Sequence, residues 1–150
     1  MSIKDKAWDA VKWKVIKKHL GYSKEEMKIF RENPRNQDVV NKAPEINSKT
    51  IIAEVVQSHG CNSRHLAGDK FIFDGAGNLL TSKCPKKVCV YALNALSPLI
   101  FTSNELIYAG ADPNEMRFKR ASCSDVGLEC GGWGRVIFEL KVMDRKQVKA

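Results

Sequence analysis

The chain has 150 residues, of which 43% are hydrophobic, and it carries a formal net charge of +8. This length and hydrophobic content allow one sizeable core and argue against a disordered or fibrous chain. The charge is spread along the sequence: residues 1–48 hold eleven basic and seven acidic residues, a net of +4, which leaves +4 for the rest. Basic and aromatic residues do not alternate along any predicted strand, so nucleic-acid binding is disfavoured.

No segment of the sequence has the length and apolar character of a membrane span or of a signal-peptide core. We therefore expect a cytoplasmic protein without membrane contact. The number of cysteines is odd, at five. In a reducing compartment this indicates thiols or metal ligands rather than a disulfide framework.

The first part of the chain has the composition of helices. The predicted helices are 3–20, 24–31 and a short one from 36 to about 41. The second begins with a capping box, Ser23 and Glu26, and Ala43-Pro44 is expected to close the third. Residues 1–48 are thus predicted to form a helical arm or cap, which could dock on a larger enzyme.

From residue 50 the pattern changes to β-branched and alternating residues. The predicted strands are 50–56, 70–74, 79–81, 116–122 and 135–142. Between them, Val88–Leu96 reads as a buried helix, and Ser97-Pro98 kinks it or starts a second helix through Ile107. The prediction is an α+β fold, in which N-terminal helices precede a small, mostly antiparallel sheet packed against a buried helix pair. The core domain would span 49–143 and the tail 144–150.

The cysteines fall at the ends of predicted elements or in loops, where functional thiols are more common than packing thiols. Cys61 and His65 lie in the loop His59–Asp69, Cys89 opens the apolar helix, and Cys123 begins a late loop. The helix N-terminus should favour the thiolate of Cys89. The spacings match neither a zinc ribbon nor a ferredoxin, so a metal or cluster site, reactive unmetallated cysteines and inert thiols all stay open.

Three motifs of the core domain resemble a known family. They are Cys61-x3-His65-x2-Gly68-Asp69, Cys89 at a helix start, and Cys123-x-Asp125. From Thr50 to Leu140 the chain is similar to small, largely uncharacterised proteins of anaerobic bacteria and archaea. Their first motif is Cys-Pro-x-Gly-His-x-x-Gly-Asp, and this chain has Asn62 and Arg64 at the Pro and Gly positions. The resemblance implies a shared site formed by Cys61, Cys89 and Cys123, with His65 close by.

Three thiolates with an open fourth position would suit a zinc ion or an iron–sulfur cluster that activates a substrate as a Lewis acid. His65 would be a further ligand or a proton carrier. The expected protein is a lyase- or hydrolase-type metalloenzyme, or an enzyme subunit, acting on a small anionic molecule. Cys84 and Cys130 would be supporting residues, alternative site residues or spectators. An accessory subunit with a structural metal, and a metal-free cysteine-dependent protein, are the alternatives; a homo-oligomer is left open.

Other polar residues and one loop have more than one interpretation each. His59 is a ligand, a general base or a plain loop residue, and Asp125 is an acid/base group or a solvated carboxylate. Asp69 could orient His65 through its other ring nitrogen. The loop Gly131-Gly132-Trp133 offers amides and a flat ring for an anion or a planar ligand, or it is a simple turn.

Overall fold

The computed structural model describes residues 3–148, with the side chains of residues 3–8 and 10 outside the description. The chain divides into two compact units, one up to Asn41 and one from Lys42 onward. The predicted domain boundary, between residues 48 and 49, lies slightly later in the chain. Within the described range, no helix combines the length and the apolar character that crossing a membrane requires.

The first unit contains α1 (Ile3–Leu20), α2 (Lys24–Glu32) and the beginning of α3 (Pro34–Asn47). The capping box predicted for α2 is present: the Glu26 amide donates to Ser23 Oγ at 3.1 Å, and the Ser23 amide donates to Glu26 Oε2 at 2.7 Å.

The predicted end of the third helix was wrong. α3 starts at Pro34, where the missing N–H costs nothing, and it continues through Pro44 to Asn47. In the second unit, Ile46 from its last turn is buried in the hydrophobic core. This packing explains why the helix does not end at Ala43.

The second unit is built on a four-stranded antiparallel sheet of order β2-β1-β4-β3. The strands are β1 (Lys49–His59), β2 (Lys70–Asp74), β3 (Arg120–Ser122) and β4 (Arg135–Asp144). The predicted strand 79–81 is reduced to one bridge between Leu79 and Phe73, followed by a short 3-10 turn. The predicted strand 116–122 keeps only its last three residues. The α+β fold with its antiparallel sheet is confirmed.

One face of the sheet forms the core with a single long helix, α4 (Val90–Tyr108). Alternate residues of β4 are buried there, including Phe138 and Leu140. The predicted helix pair is thus one continuous helix with Pro98 inside it. Pro98 and Asn94, whose carbonyl loses its helical partner, are both exposed, so water can satisfy that carbonyl.

Candidate functional site

A cavity of about 360 Å³ lies where the ends of β1 and β4 meet the N-terminus of α4. Its lining includes Cys61, His65, Cys89, Cys123, Asp125 and Trp133. The structure therefore brings the three cysteines of the resemblance and His65 around one space, although they come from three distant segments. All three cysteines are half-buried and pack against the hydrophobic core.

The loop that follows β1 folds back on its own strand. The amide of Gly68 donates to the Val55 carbonyl and the amide of Val55 donates to the Asp69 carbonyl, both at 2.8 Å. Within the loop, the Arg64 amide donates to the Cys61 carbonyl, and Arg64 takes a left-handed φ of 59°. A left-handed conformation is strained for a residue with a Cβ, and glycine would adopt it freely at this position.

His65 is the buried polar side chain of the cavity, with only 2% of its surface exposed. Its ring contacts Phe71 edge-on at a centroid distance of 5.0 Å. Nδ1 lies 3.8 Å from Oδ2 of Asp69, which is itself held at 2.9 Å by the Leu66 amide. Nε2 is buried and has no hydrogen-bond partner within the described residues.

Burial lowers the pKa of His65, and the nearby Asp69 carboxylate offsets part of this effect. The imidazole is therefore neutral at pH 7. Because Asp69 lies on the Nδ1 side, the ring proton is favoured there and the lone pair is left on Nε2. His65 is thus prepared to accept a proton or to bind a metal.

Cys89 is the N-cap residue of α4. Burial alone would raise the pKa of its thiol, but the amides of Ala92 and Tyr91 and the hydroxyl of Ser63 outweigh burial and lower it. These donors are less well aligned than in a standard cap, since the N-cap side chain makes no capping hydrogen bond of regular geometry. The environment of Cys89 favours the thiolate.

Cys123 directly follows β3 and is fixed to the start of β4 by two contacts. Its amide donates to the Val136 carbonyl at 2.9 Å, and the Val136 amide donates to Cys123 Sγ at 3.3 Å. The sulfur of Cys123 therefore has a defined position at the cavity.

Asp125 organises the loop between Cys123 and Gly134. Its carboxylate accepts the amides of Gly127, Trp133 and Gly134 at 3.0 to 3.3 Å. The Gly127 amide contributes most to lowering its pKa, with slight burial acting in the opposite direction. A carboxylate held in this way is a poor proton acceptor. In this structure Asp125 shapes the loop, and its predicted acid/base role stays a prediction.

The loop Gly131-Gly132-Trp133 does not present open amides. Gly131 donates to the Leu128 carbonyl and Gly132 to the Gly127 carbonyl, while Trp133 donates to Asp125. The anion nest expected from the sequence therefore has no free donor at these three positions. The Trp133 ring remains available, since it lines the cavity with 75% of its surface exposed.

The remaining candidates lie elsewhere. His59 is exposed and lines a second cavity of about 250 Å³, together with Cys130. Cys84 caps the edge of the sheet: its Sγ accepts the Ile72 amide and donates to the Leu80 carbonyl, both at 3.3 Å. Neither His59 nor these two cysteines lines the cavity that contains Cys61, and the predicted catalytic role of His59 stays a prediction.

The cavity also contains residues that the sequence did not single out. Ser63 reaches Cys89, and Tyr91 and Arg135 line the cavity. Gly60 and Gly134 bring the two site loops together, because a Cβ on Gly60 would lie 2.5 Å from the Trp133 carbonyl oxygen. The glycines flank the cysteine loops in the sequence, but their mutual contact depends on strand register.

The donor set is suited to a soft or borderline metal, because thiolates and a neutral imidazole are ligands of zinc, and thiolates hold iron–sulfur clusters. Over residues 3–148, no three His, Cys, Asp or Glu side chains are close enough together to hold an ion in this conformation. Binding would require the thiols to turn further into the cavity they share.

Comparisons of the chain with protein-family models, with curated proteins and with solved structures found no match. The resemblance to the Cys/His proteins of anaerobic bacteria and archaea therefore stays a prediction from the motifs.

Proposed function

We propose that Cys61, Cys89 and Cys123 bind a zinc ion or an iron–sulfur cluster, and that His65 is a further ligand or carries protons. On this proposal the protein is a cytoplasmic lyase- or hydrolase-type enzyme, or a subunit of one, acting on a small anionic substrate. The observation that supports it is the convergence of three cysteines and a buried histidine on one cavity.

The unpartnered Nε2 of His65 adds to this support. Leaving a buried polar atom without a partner costs about 1–3 kcal/mol. A metal bond or a hydrogen bond to substrate would offset that cost. Cys61 and Cys123 lie in loops and Cys89 at a helix cap. At such positions the thiols can turn inward without breaking the hydrogen bonds of a helix or strand interior.

The bound metal would supply Lewis-acid polarisation of a substrate oxygen. The chain itself supplies a neutral His65, which can accept a proton at Nε2, and a Ser63 hydroxyl that stabilises the Cys89 thiolate. Arg135 lines the cavity and has no carboxylate within ion-pair distance among the described residues. Its guanidinium is the group on this cavity that an anionic substrate would contact, although the Asp125 carboxylate lines the same cavity.

Metal analysis and an absorption spectrum of anaerobically purified protein test the proposal. We expect stoichiometric zinc in a colourless protein, or iron and sulfide in a brown one. Cys61→Ser, Cys89→Ser and Cys123→Ser should each lose most of the metal. Cys84→Ser and Cys130→Ser are matched controls outside the cavity and should keep it. Metal-free wild-type protein, or equal loss in the controls, would refute the proposal.

A second candidate is a metal-free protein that uses Cys89 as a nucleophile. The observation that favours it is the set of donors that lowers the pKa of this thiol. If it is correct, wild-type protein without metal should react with iodoacetamide mainly at Cys89, and faster than at the exposed Cys130. Mass spectrometry of the alkylated peptides would decide between the two.

A third candidate is an accessory subunit in which the metal is structural and the first unit docks on a larger enzyme. Val11 and Val15 lie one turn apart on α1 and are both exposed. A tagged full chain should then co-purify with a defined enzyme from its native cells, and Val11→Glu with Val15→Glu should abolish this without loss of metal.

A further inference from the structure

Two aromatic side chains at the cavity are exposed to solvent. Trp133 has 75% of its surface exposed and Tyr91 has 64%, and both line the space that contains the three cysteines. Large aromatic side chains usually bury most of their area. Two exposed rings on one small cavity therefore point to a ligand that covers them.

The backbone beneath Trp133 is held from two sides. Its amide donates to both carboxylate oxygens of Asp125, at 3.1 and 3.3 Å. On the other side, its carbonyl oxygen lies so close to Gly60 that an added Cβ there would be 2.5 Å away. Gly132 has no room for a side chain either, since a Cβ would lie 2.0 Å from Asp125 Oδ1. The exposed ring therefore belongs to a loop whose backbone is already held in place. Ligand binding would cost little additional backbone entropy.

Tyr91 is placed by a different element. It lies in the first turn of α4, between Cys89 and the buried Ala92. Part of the cavity wall is apolar or uncharged, since it includes Ala92, Val136 and the neutral His65, and Asp125 and Arg135 are the charged residues of the lining. A flat apolar body fits such walls better than a compact, heavily hydrated ion.

We propose that the substrate is a small molecule with one aromatic or heteroaromatic ring, which packs on Trp133 and Tyr91 and directs a polar substituent towards the cysteines. A cavity of about 360 Å³ is at the small end of ligand pockets, in keeping with a single ring. The inference rests on the proposed function for the reacting end of the molecule, whereas the binding of the ring is independent of the metal.

Saturation-transfer NMR with matched acids tests the inference on the full chain. Benzoate and nicotinate carry an aromatic ring, and cyclohexanecarboxylate has the same charge and a similar size without one. We expect the aromatic acids to bind about two- to tenfold more tightly, the range set by aromatic pairing. Trp133→Leu and Tyr91→Leu should each reduce this preference. Phe118→Leu is the matched control, because Phe118 is 70% exposed and lies outside the cavity.

Metal content, measured on the same samples, separates the two proposals. Wild-type protein that contains metal but shows no aromatic preference overturns this inference and leaves the proposed function intact. Metal-free protein that prefers aromatic acids through Trp133 overturns the proposed metal site and supports the aromatic-ligand inference. An aromatic preference that Trp133→Leu and Phe118→Leu reduce equally, or not at all, also overturns the inference.

Discussion

Gly134 packs directly against Gly60: a Cβ on Gly134 would lie 2.3 Å from the carbonyl carbon and oxygen of Gly60. Gly134→Ala should therefore separate the two site loops and lower the free energy of unfolding by about 3 kcal/mol, the upper part of the usual overpacking range. Gly131→Ala is the control, since Gly131 has a φ of 83° but open space around it. It should cost only about 1–2 kcal/mol. Urea unfolding measures both, and equal losses would contradict the close-contact argument.

Cys84 is expected to be structural. Removing its sulfur leaves the Ile72 amide without an acceptor, so Cys84→Ala should lower the free energy of unfolding by about 1–3 kcal/mol. Cys84→Ser keeps a hydrogen-bonding atom there and should cost less. Neither substitution should change the metal content. A loss of metal in Cys84→Ser would contradict the structural role given to this thiol.

The stability of the loop that Asp125 organises should decrease at acid pH. The amides of Gly127, Gly134 and Trp133 lower the folded-state pKa of Asp125 below its ordinary value of 3.8. Its contribution to stability is therefore fully present above that value and is lost as the pH falls through the lower folded pKa. We expect Trp133 fluorescence to change in this acid range, and Asp125→Asn to show the altered spectrum already at neutral pH. Trp13→Phe can serve as the background that reduces the other tryptophan signals.

His65 should give the metal-free protein a second pH dependence, of the same sign. Burial lowers its folded-state pKa below the ordinary 6.5, so the unfolded chain takes up a proton first as the pH falls. The contribution of His65 to the free energy of unfolding is therefore fully present above about pH 6.5 and is lost as the pH falls below that value. In the presence of a chelator, the loss of unfolding free energy between pH 7.5 and 5.5 should be smaller in His65→Leu than in wild type. His59→Leu, at an exposed histidine, should retain the wild-type loss.

Much of the fold was accessible from local patterns. The alternation in Lys70–Asp74 gave the bounds of β2, and the Ser23–Glu26 spacing gave the start of α2, because each depends on neighbouring residues only. Besides the predicted strands 79–81 and 116–122, which are shorter in the structure, the predictions that failed concern prolines. Pro44 and Pro98 normally end or kink helices, but core packing by Ile46 and the exposure of Pro98 allow both helices to continue.

The site was accessible in part. Cys61, Cys89 and Cys123 come at the ends of elements, and an antiparallel sheet with one covering helix brings such ends together. The positions of His59 and His65 at the two ends of one loop do not predict that only His65 lines this cavity. β1 has an irregularity between Val55 and Gln57 that changes the register with β4, and a shift of one residue turns side chains to the other face of a sheet. Sequence patterns do not reveal such a bulge.

The two edges of the sheet differ from its centre in how readily they should open. β1 and β4 are long and pair with each other in the middle, whereas β3 has three residues and pairs on one side only. Amide hydrogen exchange should therefore be faster in β3 than in β1 or β4. Cys123 directly follows the C-terminal end of β3, whereas Cys61 follows a central strand and Cys89 begins the core helix. Because its backbone and its sulfur are both bonded to Val136 of β4, the position of Cys123 at the cavity depends on the short pairing of β3 with β4 staying closed.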